Sequence, residues 1–188
     1  MSEKFIYSLK DGDSSNRLLL GGKGANLCKM AQSGLPVPAG FILTTEVCRK
    51  YMQNPGIMDE VWDDVKKSVS QLEKETGKIW GGSQNPLLVS VRSGAPISMP
   101  GMMETILNLG LNDETVKALA ETSGNKRFAL DSYRRFIQMF SSVVDEVNFD
   151  LFEAALAKAR KESNAEQDYQ IPAEQLEKLL VEYKAIYK

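Results

Sequence analysis

Apolar positions along the chain keep two different rhythms, and the change falls near residue 110. Before it, short apolar runs alternate with turn residues. "KFIYSL" at 4–9 predicts a short strand and "DGDSSN" at 11–16 a turn. A helix follows over about 25–33, with Leu27, Met30 and Ala31 on one face, and Gly34 is placed to end it. "LPVPAGFILTT" at 35–45 predicts a stiff connection entering a strand, because Pro36 and Pro38 fix the backbone and withhold donors. Ile57, Val61, Val65, Val69 and Leu72 recur at helical spacing, so 57–76 reads as a longer helix stopped by Gly77. "GGSQNP" at 81–86 is a loop. "LLVSVRS" at 87–93 is apolar and β-branched, the pattern of a buried strand. Pro100-Gly101 is a turn signal.

After residue 111 strand signals fade. "RFALDSYRRFIQMFSSVV" carries Phe136, Met139, Phe140, Val143 and Val144 on one stripe, and "FDLFEAALAKARKE" is helical too. "KESNAEQDYQ" at 161–170 reads as a solvated loop. The last segment opens with Pro172 near a first helical turn, where proline is tolerated, and turns Leu176, Leu179, Leu180, Tyr183 and Tyr187 to one side. The pattern thus predicts an α/β part over 1–110 and an all-helical part over 111–188, with no internal repeat.

Composition changes this picture little. The 188 residues are 43% hydrophobic and 26% charged, as in soluble globular chains. A net charge of -2 argues against a general nucleic-acid binder. No apolar run nears the roughly 20 residues that cross a bilayer, and the polar start "MSEKFIYSLKDGDSS" has no signal-peptide core. No membrane partner is expected. Cys28 and Cys48 make no disulfide framework, which suits a reducing compartment, the cytosol being the simplest. The chain has no histidine, so chemistry that needs an imidazole or a phosphohistidine cannot be completed by these residues.

Four groups are candidates for chemistry. Gly21-Gly22-Lys23-Gly24 stands where an apolar run gives way to a helix. Glycines let backbone approach a ligand, helix-start N–H groups attract anions, and a lysine adds a mobile charge that suits phosphate. The spacing is not that of a Walker A loop, and a glycine turn with an exposed lysine fits the same four residues. Arg92 and Ser93 end the strand at 87–93, where α/β sheets open into ligand clefts; a surface arginine paired to a carboxylate fits equally. Arg134 and Arg135 lie off the expected buried stripe of their helix. A solvated face is the default there, with one arginine reaching a ligand and the other pairing with Asp131 as the alternative. Met99, Met102 and Met103 read as filler of a core or a ligand wall, and Glu104 is isolated.

The order of these pieces is more specific than any one of them. "LLGGKGANL", "GLPVPAGFILTT", "PLLVSVRSGAPISMPGMMETILNLGLND" and "GNKRFALDSYRRFIQMF" together resemble the N-terminal region of the pyruvate, phosphate dikinase family, from about Phe5 to Lys188. "SMPGMM" favours the dikinases over the related phosphoenolpyruvate synthases. The resemblance implies a partial ATP-grasp-like nucleotide-binding domain with a helical subdomain, and ATP as substrate. It implies phosphate-binding positions at Lys23, Arg92 and Arg135, supported by Gly22, Gly24 and Ser93. It further implies interconversion of ATP, phosphate and pyruvate with AMP, pyrophosphate and phosphoenolpyruvate through a phosphohistidine. The Mg²⁺ carboxylates, the phosphohistidine domain and the phosphoenolpyruvate/pyruvate barrel are then expected downstream, and the full-length enzyme is expected to be a homodimer. Catalytic residues are expected outside this stretch, so the chain alone is expected to be inactive. Pro96 departs from the family, which commonly has an arginine there. A stand-alone nucleotide-sensing or partner-docking module with the same fold is the other reading. A sheet edge left open would favour self-association.

Overall fold

The computed structural model describes residues 4–94 and 105–188. Pro96, the three methionines, the Pro100-Gly101 turn signal and Glu104 lie outside the described residues. The chain divides into two compact units, one of residues 1–78 with 92–103, the other of residues 79–91 with 104–188.

The first unit is built on a two-stranded ribbon. Strands β1 (Ile6–Ser8) and β2 (Phe41–Leu43) pair antiparallel, with Tyr7 opposite Ile42. Because side chains alternate across a strand, each face takes a different partner. Helix α1 (Arg17–Gln32) covers one face, where Leu9, Leu20, Ala25 and Cys28 are buried with Tyr7, Leu27, Ala31 and Ile42 against them. Helices α2 (Thr45–Gln53) and α3 (Ile57–Thr76) close the other face through Val47, Ile57 and Val61, packed by Phe5, Ile6 and Val65.

Helix α3 has the bounds that its spacing predicts. Gly77 ends it in the left-handed region (φ 68°) and its N–H donates to the Glu73 carbonyl at 2.8 Å. Gly34 likewise has φ 76°, just after α1. Three expectations need correcting. Helix α1 begins at Arg17, not near 25. Its buried face is Leu20, Gly24, Ala25 and Cys28, while Met30 is 41% exposed. Helix α2 was hidden because only Val47 of its nine residues is buried, so no stripe marks it.

Strands β3 (Val89–Arg92) and β4 (Thr105–Leu109) pair with each other, and every residue of the two but Arg92 belongs to the second unit. Four helices follow: α4 (Thr115–Ser123), α5 (Lys126–Val144), α6 (Phe149–Glu162) and α7 (Ala173–Tyr187). Helix α5 is the central element and packs on α4, α6, α7 and β4. One continuous core runs through Leu130, Tyr133, Ile137, Phe152, Leu156, Ile171, Leu176 and Tyr183, among others. Arg127 secures the segment between α6 and α7, donating to the carbonyls of Asp168 (2.7 Å) and Ile171 (3.0 Å).

Two further expectations fail here. β4 carried no recognised strand signal. The buried face of α5 is not the stripe from Phe136 to Val144 but Ala129, Leu130, Asp131, Ser132, Tyr133, Arg134, Ile137, Gln138 and Ser141. Five of those nine, Asp131, Ser132, Arg134, Gln138 and Ser141, are polar or charged, and that is why a hydrophobic stripe placed the face one step too far round; Val144 is 50% exposed.

Candidate functional site

The glycine-lysine stretch does not precede α1; it breaks it. Asn16 caps the first piece, its Oδ1 accepting the Leu19 N–H at 3.1 Å. Gly21 then takes φ 70° and ψ 161°, a region open almost only to glycine, and the helix restarts behind it. Gly22, Lys23 and Gly24 therefore form the first turn of the second piece. N–H groups at such a start lack acceptors within the helix and favour an anion.

The three residues of that turn do different things. Lys23 is exposed, and its side chain makes no hydrogen bond or ion pair among the described residues. Gly22 is half-buried. Gly24 faces inward: a Cβ there would stand 3.0 Å from Ile42 Cδ1 and 3.3 Å from its Cγ2, so its missing side chain lets α1 approach β2. Spacing alone could not separate the glycine that breaks the helix from the one that packs it.

Arg92 is the last residue of β3 and Ser93 follows it, both exposed. The strand is not the buried one that its composition predicts. Val91 is 47% exposed, because among the described residues this sheet has only β3 and β4. The side chain of Arg92, like that of Lys23, has no partner among the described residues.

Arg134 and Arg135 differ from the expected solvated pair. Arg134 is 3% exposed. Its Nε and Nη2 donate to Asp131 Oδ1 at 3.0 and 2.9 Å, and its Nη1 donates to Gln138 Oε1 at 3.1 Å. Gln138 in turn donates to Glu153 Oε1 at 2.8 Å, and the Tyr183 hydroxyl donates to the Phe152 carbonyl at 3.0 Å. Burial pulls the Arg134 pKa down, but the charge and hydrogen bonds of Asp131 outweigh it and the net shift is upward. Burial also raises the Tyr183 pKa, with the Arg134 charge acting against it. Arg135 remains largely outside, its Nε in an ion pair with Asp131 Oδ2 at 3.1 Å. Asp131 thus holds both arginines, where one was expected. The i, i+3 and i, i+4 spacings of Asp131 to Arg134 and Arg135 were the available signal.

A second polar group escaped notice. A cleft of about 270 Å³ beside α5 and α7 is lined by Tyr133, Phe136, Phe140, Lys184 and Tyr187. At its edge Asp113 pairs with Lys184 and accepts the Tyr133 hydroxyl at 3.1 Å. The hydrogen bond from Lys184 lowers the Asp113 pKa, against partial burial. Burial, with Asp113 beside it, raises that of Tyr133. Among the described residues no three acidic, histidine or cysteine side chains converge as metal ligands. No helix of the described residues is long and apolar enough to cross a membrane.

Helices α1, α2 and α3 and strand β2 fall within a sequence match. Residues 17–82, which include the broken helix, match the family model described as pyruvate phosphate dikinase, AMP/ATP-binding domain. The class is therefore an α+β nucleotide-binding domain. Over nearly its whole length the chain is similar to the N-terminal part of pyruvate, phosphate dikinases. It is 49% identical to the pyruvate, phosphate dikinase of Entamoeba histolytica over 93% of its own length and 20% of the relative's. It is 49% identical to that of Clostridium symbiosum over 98% of its length and 21% of the relative's. It is 45% identical to pyruvate, phosphate dikinase 2 of Oryza sativa subsp. japonica over 94% and 20%. The chain thus spans about a fifth of the length of these relatives. Arg92, Ser93 and Arg135 fall outside the family-model match.

Proposed function

We propose that this chain supplies part of the ATP site of a pyruvate, phosphate dikinase, a phosphotransferase that interconverts ATP, phosphate and pyruvate with AMP, pyrophosphate and phosphoenolpyruvate. The observation that carries this reading is the helix break at Gly21, which leaves Lys23 exposed and unpartnered in a new first turn inside the AMP/ATP-binding match. In this reading the Gly22 and Lys23 backbone meets phosphate oxygens and the Lys23 ammonium neutralises them. Arg92, with Ser93, grips a second phosphate from the end of β3, and Arg135 adds a third cation. Gly24 contributes by seating α1 on β2. Phosphoryl transfer depends on such positioning and charge stabilisation.

The rest of the reaction belongs elsewhere in the protein. A chain without histidine carries no phosphohistidine, so that group, the phosphoenolpyruvate/pyruvate barrel and the Mg²⁺ carboxylates are assigned to downstream domains of a longer polypeptide. We assign the ATP-grasp-like architecture, with 1–110 as its α/β subdomain and 111–188 as its helical subdomain, on the same resemblance. A cytoplasmic, homodimeric full-length enzyme completes the reading. The test is ATP affinity, by titration calorimetry, of the wild-type chain and of Lys23→Ala and Arg92→Ala. Each substitution is expected to weaken binding about 10- to 100-fold, the range of a charge-assisted hydrogen bond. Unchanged affinity in both would remove these residues from the site.

A further inference from the structure

Asp131 is the one carboxylate that the described residues join to two arginines, and its two oxygens are not equivalent. Oδ1 takes both hydrogen bonds from buried Arg134, and that side chain is fixed in turn by Gln138. Oδ2 is left for Nε of Arg135 at 3.1 Å. The Asp131 side chain is 12% exposed and that of Arg134 is 4% exposed, whereas that of Arg135 is 57% exposed. A rigid, buried anchor therefore ends in an exposed guanidinium. The closest approach of this ion pair is through Nε, and neither terminal nitrogen of Arg135 makes a hydrogen bond among the described residues. Those two nitrogens are the fork that grips a phosphate through two parallel hydrogen bonds. An unrestrained arginine would lose rotamer freedom on binding, and a prior hold on Nε reduces that cost.

We propose that Asp131 is a positioning residue for the nucleotide: through Oδ2 it sets the plane of the Arg135 guanidinium and presents the Nη1/Nη2 fork to a phosphate group of ATP. This rests on the reading of Arg135 as a phosphate contact. The buried Arg134 has no ligand of its own in this arrangement. It orients the carboxylate, and it explains why the helix carries two consecutive arginines with opposite burial.

Asp131→Asn separates the two duties of the carboxylate. The amide oxygen still accepts from Arg134, while the amide NH₂ faces Arg135 and ends the ion pair. Two measurements on the full chain test the inference. In NMR spectra of arginine Nε–Hε groups without ligand, the Arg135 resonance is expected to shift and exchange faster with water in Asp131→Asn. An unchanged resonance overturns the positioning role whatever ATP does. In calorimetric titrations with ATP, Asp131→Asn is expected to weaken binding about threefold or more, within the range of couplings between contacting residues. In an Arg135→Ala background the same substitution is expected to cost nothing further; a structural role would add its loss in both backgrounds, and additive losses overturn the inference. If Arg135→Ala leaves ATP affinity unchanged while the resonance shifts, the phosphate reading of Arg135 has failed and the inference falls with it. Should Asp131→Asn fail to fold, Arg135→Lys serves. It keeps the charge but has neither fork nor Nε contact, and wild-type affinity in that variant overturns the proposal.

Discussion

The two compact units use their cations in opposite ways. In the first, Lys23 and Arg92 stand exposed with no partner among the described residues. In the second, Arg134 is buried in a network of Asp131, Gln138 and Glu153, and Arg135 is tied to it by one ion pair. A free exposed cation contributes little to stability and leaves its attraction for a ligand. A buried cation with three hydrogen bonds is structural, and its removal strands the carboxylate that faced it. The cores differ in the same sense. The described residues of the helical unit share one large cluster, whereas the first unit has two small ones on either side of a two-stranded ribbon.

The largest expected effect that would break this comparison is in Arg134→Ala. Leaving Asp131 buried and without Arg134 is expected to cost about 3–5 kcal/mol of stability in urea unfolding, the usual penalty for breaking a buried ion pair. Lys23→Ala is expected to stay within about 0.5 kcal/mol. Equal effects would erase the distinction. Next come the cores. Trp62 lies in the first unit and Trp80 in the second, so single-tryptophan variants report each separately. The Trp62 signal is expected to change at lower urea than that of Trp80, and a common midpoint would show that the smaller clusters are no weaker. Gly77→Ala is smaller still. Its φ of 68° is strained for any side chain, and a loss of about 1 kcal/mol or slightly more is expected in the first-unit signal.

The smallest effect is a pH dependence in the helical unit. Pairing with Lys184 lowers the folded Asp113 pKa below its unfolded value of about 3.9. Its contribution is therefore fully present above that pH and is lost as pH falls through the folded value. Both side chains are at least a third exposed, so Lys184→Met is expected to cost under about 1 kcal/mol at neutral pH. The gap to wild type should close as pH falls through the lowered folded value of Asp113, because the carboxylate is then protonated in the wild type as well. A gap that persists at acid pH would mean that the lost contact of Lys184 with the Tyr133 ring, not its pairing with Asp113, was measured.

Legibility in the sequence follows the same divide. Helix α3 could be read to its last residue, because one apolar stripe and one glycine stop define it. The glycine-lysine break and the end of β3 could be singled out because glycine freedom and strand-end cations have local causes. Helix α2 could not, since a single buried valine makes no stripe. The buried face of α5 was misplaced because Asp131, Arg134 and Gln138 lie in it, and polarity alone does not reveal a side chain satisfied inside. The exposure of Val91 is a tertiary matter: the same apolar run would serve a covered strand.

The most direct test of the account is the ATP affinity of the wild-type chain beside that of Lys23→Ala, with urea stability measured on both. The account predicts a loss of at least about 10-fold in affinity at unchanged stability, since an exposed, unpartnered lysine is held for the nucleotide. Equal ATP affinity in the two proteins would contradict it and would leave the broken helix as a packing feature of the first unit.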